Sequence, residues 1–104
     1  MIKDPQIFTI LEAYVPKNKW DALKNAYAQI TPKTAGGTGI IRPLQSHLVQ
    51  SQQNLEFWSI ISVWQDMTIL QQMRQREAVP AGVRIFREVG AEPTLSIFEV
   101  AASI

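Results

Sequence analysis

The chain has 104 residues, a formal net charge of +1 and no cysteine. A chain of this length can bury its own core, so we expect a single domain over residues 1–104. The missing cysteine excludes disulfide scaffolds, thiolate metal sites and cysteine nucleophiles. The scattered charges exclude the basic surface of a nucleic-acid-binding protein. No apolar run is long enough to span a membrane and MIKDPQ is not a signal peptide, so we expect a cytoplasmic location and no membrane partner.

The chain begins with a predicted strand and a predicted helix. Residues 6–15, QIFTILEAYV, are rich in β-branched and aromatic residues and are apolar on both parities, as in a strand covered on both faces. Residues 18–30 predict an amphipathic helix that begins at Asn18 as N-cap and ends before Pro32. Four side chains share one face of this helix: Trp20, Leu23, Tyr27 and Ile30.

A loop and two strands follow. Residues 31–39, TPKTAGGTG, predict a plain loop, because the glycines lack the Lys-Ser/Thr pair that opens a helix in a phosphate-binding loop. Residues 40–50 predict a second strand, which Pro43 confines to a sheet edge because proline donates no ladder hydrogen bond. A polar connection over residues 51–54 then leads to a third strand over residues 55–65.

Two short helices and a fourth strand complete the chain. Asp66 is the expected N-cap of a helix that runs to about Glu77, and Pro80 suits the first turn of another helix. Gly90 is expected just beyond the end of the second helix, and residues 94–101 predict a strand. The apolar faces of the helices are Ile69, Leu70 and Met73 on the first, and Val83, Phe86 and Val89 on the second.

This order of elements predicts the fold class. A strand, a helix and a strand, followed by a hairpin strand that inserts between them, form a split βαβ arrangement. We therefore expect an α+β, ferredoxin-like fold, with a four-stranded antiparallel sheet and helices on one face. Three short helices cover only one face, yet the strands are apolar on both parities, so we expect a homodimer through the other face. If Trp58 and Trp64 face the helices, then Phe57, Ile61 and Val63 face the partner.

The two tryptophans of LEFWSIISVWQD, residues 55–66, are the first candidates for a functional site. Trp58 and Trp64 are six residues apart, so both point to the same side of a strand. Large aromatic side chains usually fill cores, but Trp64 precedes a helix N-terminus, where α/β sites often form. Core packing and pocket lining are both open for Trp64, and likewise for Tyr14 and Phe86.

Three features of the sequence resemble a known family over essentially the whole chain. VWQD at the end of the third strand, the helix directly after it and the segment FREVGAEPTLSIFEV are similar to the antibiotic biosynthesis monooxygenase type of dimeric α/β barrel. In members that oxidise polyketide-derived aromatics without a cofactor, a Trp near the end of strand 3 lines the pocket, with an Asn before it and a Tyr and an Arg after it. Trp64 and Arg84 match the Trp and the Arg, whereas Ile60 and Leu70 occupy the Asn and Tyr positions. The haem-degrading branch uses a His after strand 3 and an Asn on strand 1. This chain has Gln75 at the His position and no Asn on its first strand, so haem degradation by that mechanism is not expected.

The only histidine, His47, and two arginines complete the candidates. One histidine without a carboxylate at metal-ligand spacing predicts no metal site. Histidine titrates near neutrality, so His47 could act as a general base; the alternative is an edge-strand side chain that faces solvent or a subunit boundary. Arg84 and Arg87 could anchor a carboxylate or phenolate, and for Arg87 we favour the alternative of a solvated helix surface.

Two functions are therefore open. The first is a monooxygenase-like enzyme without cofactor or metal, acting on a small aromatic or quinone-type molecule in a pocket between the sheet and the helices. Trp64 would pack against the ring, and Arg84 or His47 would stabilise its anion. The second is a non-catalytic ligand-binding or structural dimer. A cavity of several hundred cubic ångströms beside Trp64 would favour a ligand site, and a filled interior would argue against one. The expected pocket-lining residues are Trp58, Tyr14, Phe86, Ile60 and Leu70.

Overall fold

The structure, a computed structural model, describes residues 5–30, 43–76 and 79–104. The predicted loop at 31–39, residues 40–42 of the predicted second strand and the predicted helix end at Glu77 lie outside these ranges. The elements in chain order are β1 (Ile7–Tyr14), a 3-10 turn (Lys17–Lys19), α1 (Trp20–Ala28), β2 (Gln45–Gln50), β3 (Phe57–Trp64), α2 (Met67–Arg76), α3 (Ala81–Glu88) and β4 (Thr94–Glu99).

The four strands form one antiparallel sheet in the order β2-β3-β1-β4. β3 lies between β1 and β2, which is the split βαβ arrangement predicted from the order of elements. β2 begins at Gln45, so Pro43 precedes the strand and is not part of it as predicted. Among the described strands only β3 pairs with β2, which makes β2 the predicted edge strand. The α+β, ferredoxin-like fold class is therefore confirmed, with a sheet that stays open within the chain.

The register of the strands gives the sheet two chemically different sides. Cross-strand partners share a side, and Ile7 opposite Trp64, Leu11 opposite Ile60, and Ala13 opposite Trp58 face the helices. Both tryptophans are therefore on the helix side, which answers the question of their direction. The other side, called the open face below, carries Phe8, Ile10, Glu12, Tyr14, His47, Val49, Phe57, Ser59, Ile61, Val63 and Phe98.

Two separate apolar clusters hold the helices on the sheet. In the smaller cluster, Leu70 of α2 packs with Ile7 and Trp64. The larger cluster joins α1 and α3 to the other end of the sheet. Its buried members are Leu11, Ala13, Val15, Leu23, Trp58, Ile60, Ile85, Phe86, Val89 and Ala91. The predicted apolar faces of α2 and α3 thus point into the core, and the space between the clusters is left for a cavity.

The ends of α2 and α3 follow the sequence signals. Asp66 Oδ1 accepts a hydrogen bond of 3.0 Å from the backbone N–H of Ile69, so Asp66 caps α2 as predicted. Gly90 has a φ of +82°, and the N–H of Ala91 donates to the carbonyl of Phe86 at 2.9 Å. This is a Schellman termination, in which glycine is favoured because the left-handed region costs it no steric strain.

The starts of α1 and α3 differ from the predictions. Asn18 lies inside the 3-10 turn and is not the N-cap of α1; that position is Lys19, which makes no side-chain capping bond. Pro16 begins the 3-10 turn, and Lys19, the residue before α1, already has helical backbone angles. An N-cap residue usually has an extended backbone, so Asn18 inside this turn does not take that role. Pro80 is the N-cap of α3, one residue before its first turn.

Candidate functional site

A cavity of about 650 Å³ lies between the helix side of the sheet and the helices. It occupies the gap between the two apolar clusters, and its residues come from β1, β2, β3, β4 and all three helices or their flanking turns. We call it the cavity below. The described residues that line it are Thr9, Leu11, Tyr27, Ile30, Pro43, Leu44, Gln45, Ser46, Ile60, Ser62, Trp64, Leu70, Met73, Arg74, Pro80, Ala81, Gly82, Val83 and Leu95.

The floor of the cavity is a row of three hydroxyl side chains on adjacent strands. Ser46 of β2 pairs with Ser62 of β3, and Ser62 pairs with Thr9 of β1. These three residues, called the hydroxyl row below, are small, while the neighbouring rows on the same side carry Trp64 and Ile60. Small side chains between two rows of large ones leave the volume that forms the cavity.

The hydroxyl row is tied to two aromatic residues by hydrogen bonds. The indole N–H of Trp64 donates to Thr9 Oγ1 at 2.9 Å in a buried contact. The hydroxyl of Tyr27, on α1, donates to Ser46 Oγ at 2.8 Å, and Ser62 Oγ lies 3.3 Å from Ser46 Oγ. These bonds fix the positions of the polar atoms beneath an otherwise apolar cavity.

The remaining walls of the cavity are mainly apolar. Among the described lining residues, Arg74 is the one charged side chain, and it is exposed on α2. None of these residues is an Asp, a Glu or a His. The described cavity can therefore bind an apolar ring and donate hydrogen bonds to oxygen atoms on that ring. Its described residues offer no side-chain carboxylate or imidazole as a base.

Three of the eight residues proposed from the sequence line the cavity: Trp64, Ile60 and Leu70. Trp64 is 5% exposed within the smaller cluster and also borders the cavity, so it combines the core and pocket roles that the sequence left open. Ile60 and Leu70, at the positions of the family's Asn and Tyr, make this part of the wall apolar.

Trp58 and Phe86 lie in the larger apolar cluster instead. Both are buried, and neither is among the lining residues. The ring of Trp58 packs against that of Trp20 at a centroid distance of 5.9 Å. The structure therefore places these two aromatic residues in the core, which was the alternative for Phe86.

His47 and Tyr14 lie on the open face, separated from the cavity by the sheet. Tyr14 is 64% exposed, and its ring lies 5.0 Å from that of Phe57. His47 is exposed on the edge strand β2. Neither side chain reaches a ligand in the cavity of its own chain.

The two arginines of α3 are exposed and do not line the cavity. Arg87 donates from Nε and Nη2 to the carboxylate of Glu92 at 3.1 Å and 2.9 Å. The hydrogen bonds from Arg87 hold the pKa of the Glu92 carboxyl below its usual value, and those to Glu92 raise the pKa of Arg87. Arg87 is thus engaged at the surface of α3, and Arg84 is exposed on the same helix.

The hydroxyl row and Tyr27 were missed as site residues by the sequence analysis. The available signal was a small polar residue, Thr9 or Ser62, at an otherwise apolar parity of each central strand. Within residues 5–30, 43–76 and 79–104, no group of three His, Cys, Asp or Glu side chains could hold a metal ion. In the same ranges no helix is long and apolar enough to cross a membrane.

Solved structures share this architecture at low sequence identity. A putative antibiotic biosynthesis monooxygenase from Deinococcus radiodurans superposes with a TM-score of 0.69 at 11% identity, over 94% of this chain and 95% of that one. This chain has the fold of the antibiotic biosynthesis monooxygenase-like proteins. A second putative antibiotic biosynthesis monooxygenase, from Bordetella bronchiseptica, superposes with a TM-score of 0.68 at 14% identity, over 95% of this chain and 100% of that one.

A haem-degrading protein from Mycobacterium tuberculosis has the same fold, with a TM-score of 0.69 at 17% identity over 97% of each chain. No protein-family model matches the chain, and no curated protein does. The resemblance inferred from the sequence is thus supported by the fold, and at these identities the fold is what the comparisons share.

Proposed function

We propose that the chain is a monooxygenase-like enzyme that works without a bound cofactor on a small, largely apolar aromatic or quinone-type molecule. The observation that carries this proposal is the cavity. Its volume of about 650 Å³ falls within the range of roughly 300–1,000 Å³ typical of small-molecule sites. Its apolar walls and its few polar groups on one side are the features that bind and orient a ring.

The reaction that fits such a site draws its electrons from the substrate. An electron-rich ring that has lost a proton transfers electrons to O₂, so that a ring CH₂ becomes a carbonyl: R₂CH₂ + O₂ gives R₂C=O + H₂O. One oxygen atom enters the product, and the other leaves as water with the two hydrogens. The protein needs to hold the ring, exclude bulk water and stabilise the anion.

The described residues divide this work between walls and floor. Trp64 and Leu70 on one side, and Ile60 on the other, would enclose the ring. Hydroxyl donors aimed at an enolate or phenolate oxygen stabilise its charge more in a water-poor site than in solution. Arg84 and His47 lie outside the cavity, so we assign anion stabilisation to the hydroxyl row.

Oxygen uptake with a panel of anthrone-type and quinol-type compounds tests the reaction. The wild type should consume oxygen faster than buffer with at least one compound. Ser62→Leu should lower that rate about tenfold or more, because a leucine on the floor fills the space for the ring. Thr68→Leu, which adds the same side chain at an exposed position of α2, is the matched control. A wild type at the buffer rate with every compound contradicts the oxygenase assignment.

A non-catalytic ligand-binding protein is the second candidate. It is favoured by the lining residues themselves, since the described ones include no carboxylate or imidazole, and apolar Ile60 and Leu70 stand at two polar positions of the family pattern. This candidate predicts ring binding that Ser62→Leu abolishes, with no oxygen uptake above the buffer rate.

We also propose that the chain forms a homodimer through the open face. The helices cover the other side of the sheet, and the open face leaves Tyr14 64% exposed and Phe98 52% exposed. Apolar side chains of neighbouring strands lie beside them, and a contiguous exposed apolar patch is typical of an interaction surface. A two-fold axis through this face covers both copies at once and is the commonest symmetry of soluble oligomers.

A further inference from the structure

We infer that the hydroxyl of Thr9 is the donor that selects the ligand, and that Trp64 sets its direction. Thr9 would donate a hydrogen bond to a carbonyl or phenolate oxygen of the bound ring. The inference rests on the proposed function in one respect, because it takes the cavity to be the ligand site. It adds which residue recognises the ligand, Thr9, and which chemical group is recognised, a carbonyl or phenolate oxygen.

The direction of the bond between Trp64 and Thr9 is fixed by chemistry. An indole N–H can only donate, so Thr9 Oγ1 must be the acceptor in the contact of 2.9 Å. Trp64 is 5% exposed and Thr9 is 8% exposed, so little bulk water competes for either atom. Besides bordering the ring, Trp64 therefore orients the Thr9 hydroxyl and is a positioning residue for that donor.

The bond from Trp64 leaves the hydroxyl hydrogen of Thr9 for another acceptor. A threonine hydroxyl has one hydrogen and two lone pairs, and Trp64 uses a lone pair. Among the described residues, Thr9 Oγ1 donates to no hydrogen-bond acceptor, and Thr9 lines the cavity. A buried donor without an acceptor is unfavourable, so an acceptor oxygen on a ligand would complete the site.

The rest of the hydroxyl row is engaged differently. Ser62 and Ser46 lie within hydrogen-bond distance of each other, and Ser46 also accepts from Tyr27. Ser46 is only half-buried on the edge strand, where water can reach it. Thr9 is thus the deep donor beside Trp64, and it favours a ketone, quinone or phenolate over a bare hydrocarbon ring of the same size.

Binding of two matched probes tests this inference. 1,4-Naphthoquinone and naphthalene share a bicyclic frame and differ in the carbonyl oxygens, and the chain has no cysteine to add to the quinone. Equilibrium dialysis gives the ratio of the two affinities for each variant. Thr9→Val removes the hydroxyl and keeps the shape, Thr9→Ser keeps the hydroxyl, and Thr94→Val makes the same change at an exposed position of β4.

The quinone-to-naphthalene ratio should fall about threefold to tenfold in Thr9→Val, the effect of one hydrogen bond. It should stay at the wild-type value in Thr9→Ser and Thr94→Val, and fall by a smaller factor in Trp64→Phe, which frees the Thr9 hydroxyl to rotate. An unchanged ratio in Thr9→Val, whether or not both affinities fall in parallel, overturns the inference and leaves the cavity as a ligand site. If the wild type binds neither probe, the proposed function and this inference are both overturned.

Discussion

The three tryptophans differ in what their indole N–H groups bind. Trp20 donates to the carbonyl of Val15 at 2.8 Å, and Trp64 donates to Thr9 at 2.9 Å. Trp58 is 4% exposed, and within the described part of the chain its Nε1 has no hydrogen-bond partner. As far as the described residues show, Trp58 therefore stabilises the fold by packing, and its indole donor is unsatisfied.

This difference predicts unequal effects of the same substitution. Trp58→Phe removes a buried donor that has no partner, which offsets part of the lost packing. Trp64→Phe removes a satisfied donor and also leaves Thr9 without its partner. We expect Trp64→Phe to lower the free energy of unfolding by about 1 kcal/mol more than Trp58→Phe. Urea denaturation measures both; an equal or larger loss in Trp58→Phe would contradict this reading of the two indoles.

Individual site residues could be predicted from the sequence only in part. Trp64 was found because a large aromatic residue at a strand end carries a family resemblance. Thr9, Ser62 and Ser46 were missed because their adjacency depends on the register of three strands, and a shift of one residue would turn a whole strand over. A single sequence shows which residues share a side of one strand, but not which residues on neighbouring strands stand opposite each other.

At the scale of the elements, local signals were reliable when their cause was local. Asp66 begins α2 and Gly90 ends α3, each through hydrogen bonds to backbone atoms within a few residues. Both predictions are confirmed. In β1 both parities are apolar, so the sequence pattern did not distinguish the two sides of the sheet, whereas the register with β3 does. The predicted N-cap at Asn18 was wrong, because Pro16 and the 3-10 turn that follows it determine where α1 begins.

Gly90 allows a direct test of the Schellman termination. Its φ is +82°, and an added Cβ would meet no atom within 4 Å, so any loss on substitution comes from the backbone and not from a clash. Gly90→Ala should lower the free energy of unfolding by about 1–2 kcal/mol. Gly90→Asn should lower it less, because asparagine tolerates this conformation better. Thermal or urea unfolding that finds the two variants equal to wild type would argue against the left-handed turn.

At the scale of the whole molecule, the two sides of one sheet have different tasks. The helix side holds the cavity, and the open face presents aromatic and aliphatic side chains to a partner in the proposed dimer. The sequence predicted this division, since both parities of the central strands are apolar while the helices suffice for one side. It also predicted a pocket between the sheet and the helices as part of the first function, but not the floor of that pocket, because its volume depends on three small residues on neighbouring strands being adjacent.

The proposed dimer should break when a charge is placed at the centre of the open face. Ile61 lies on β3, between its cross-strand partners Ile10 and His47. Ile61→Asp would bury a carboxylate without a partner in the interface, which is strongly unfavourable. Light scattering at micromolar concentration should give about twice the chain mass for wild type and Thr68→Asp. Ile61→Asp should give a lower mass or aggregate, and a wild type that stays monomeric contradicts the proposed interface.

Small rings should bind between the sheet and the helices and not on the open face. Amide chemical shifts recorded while 1,4-naphthoquinone is titrated into the protein test it most directly, because residues of both sides report in one experiment. The largest shifts should occur at Thr9, Ser62 and residues 81–83, and Ser62→Leu should abolish them. Largest shifts at Phe8, Ile61 and Phe98, unchanged in Ser62→Leu, would contradict it.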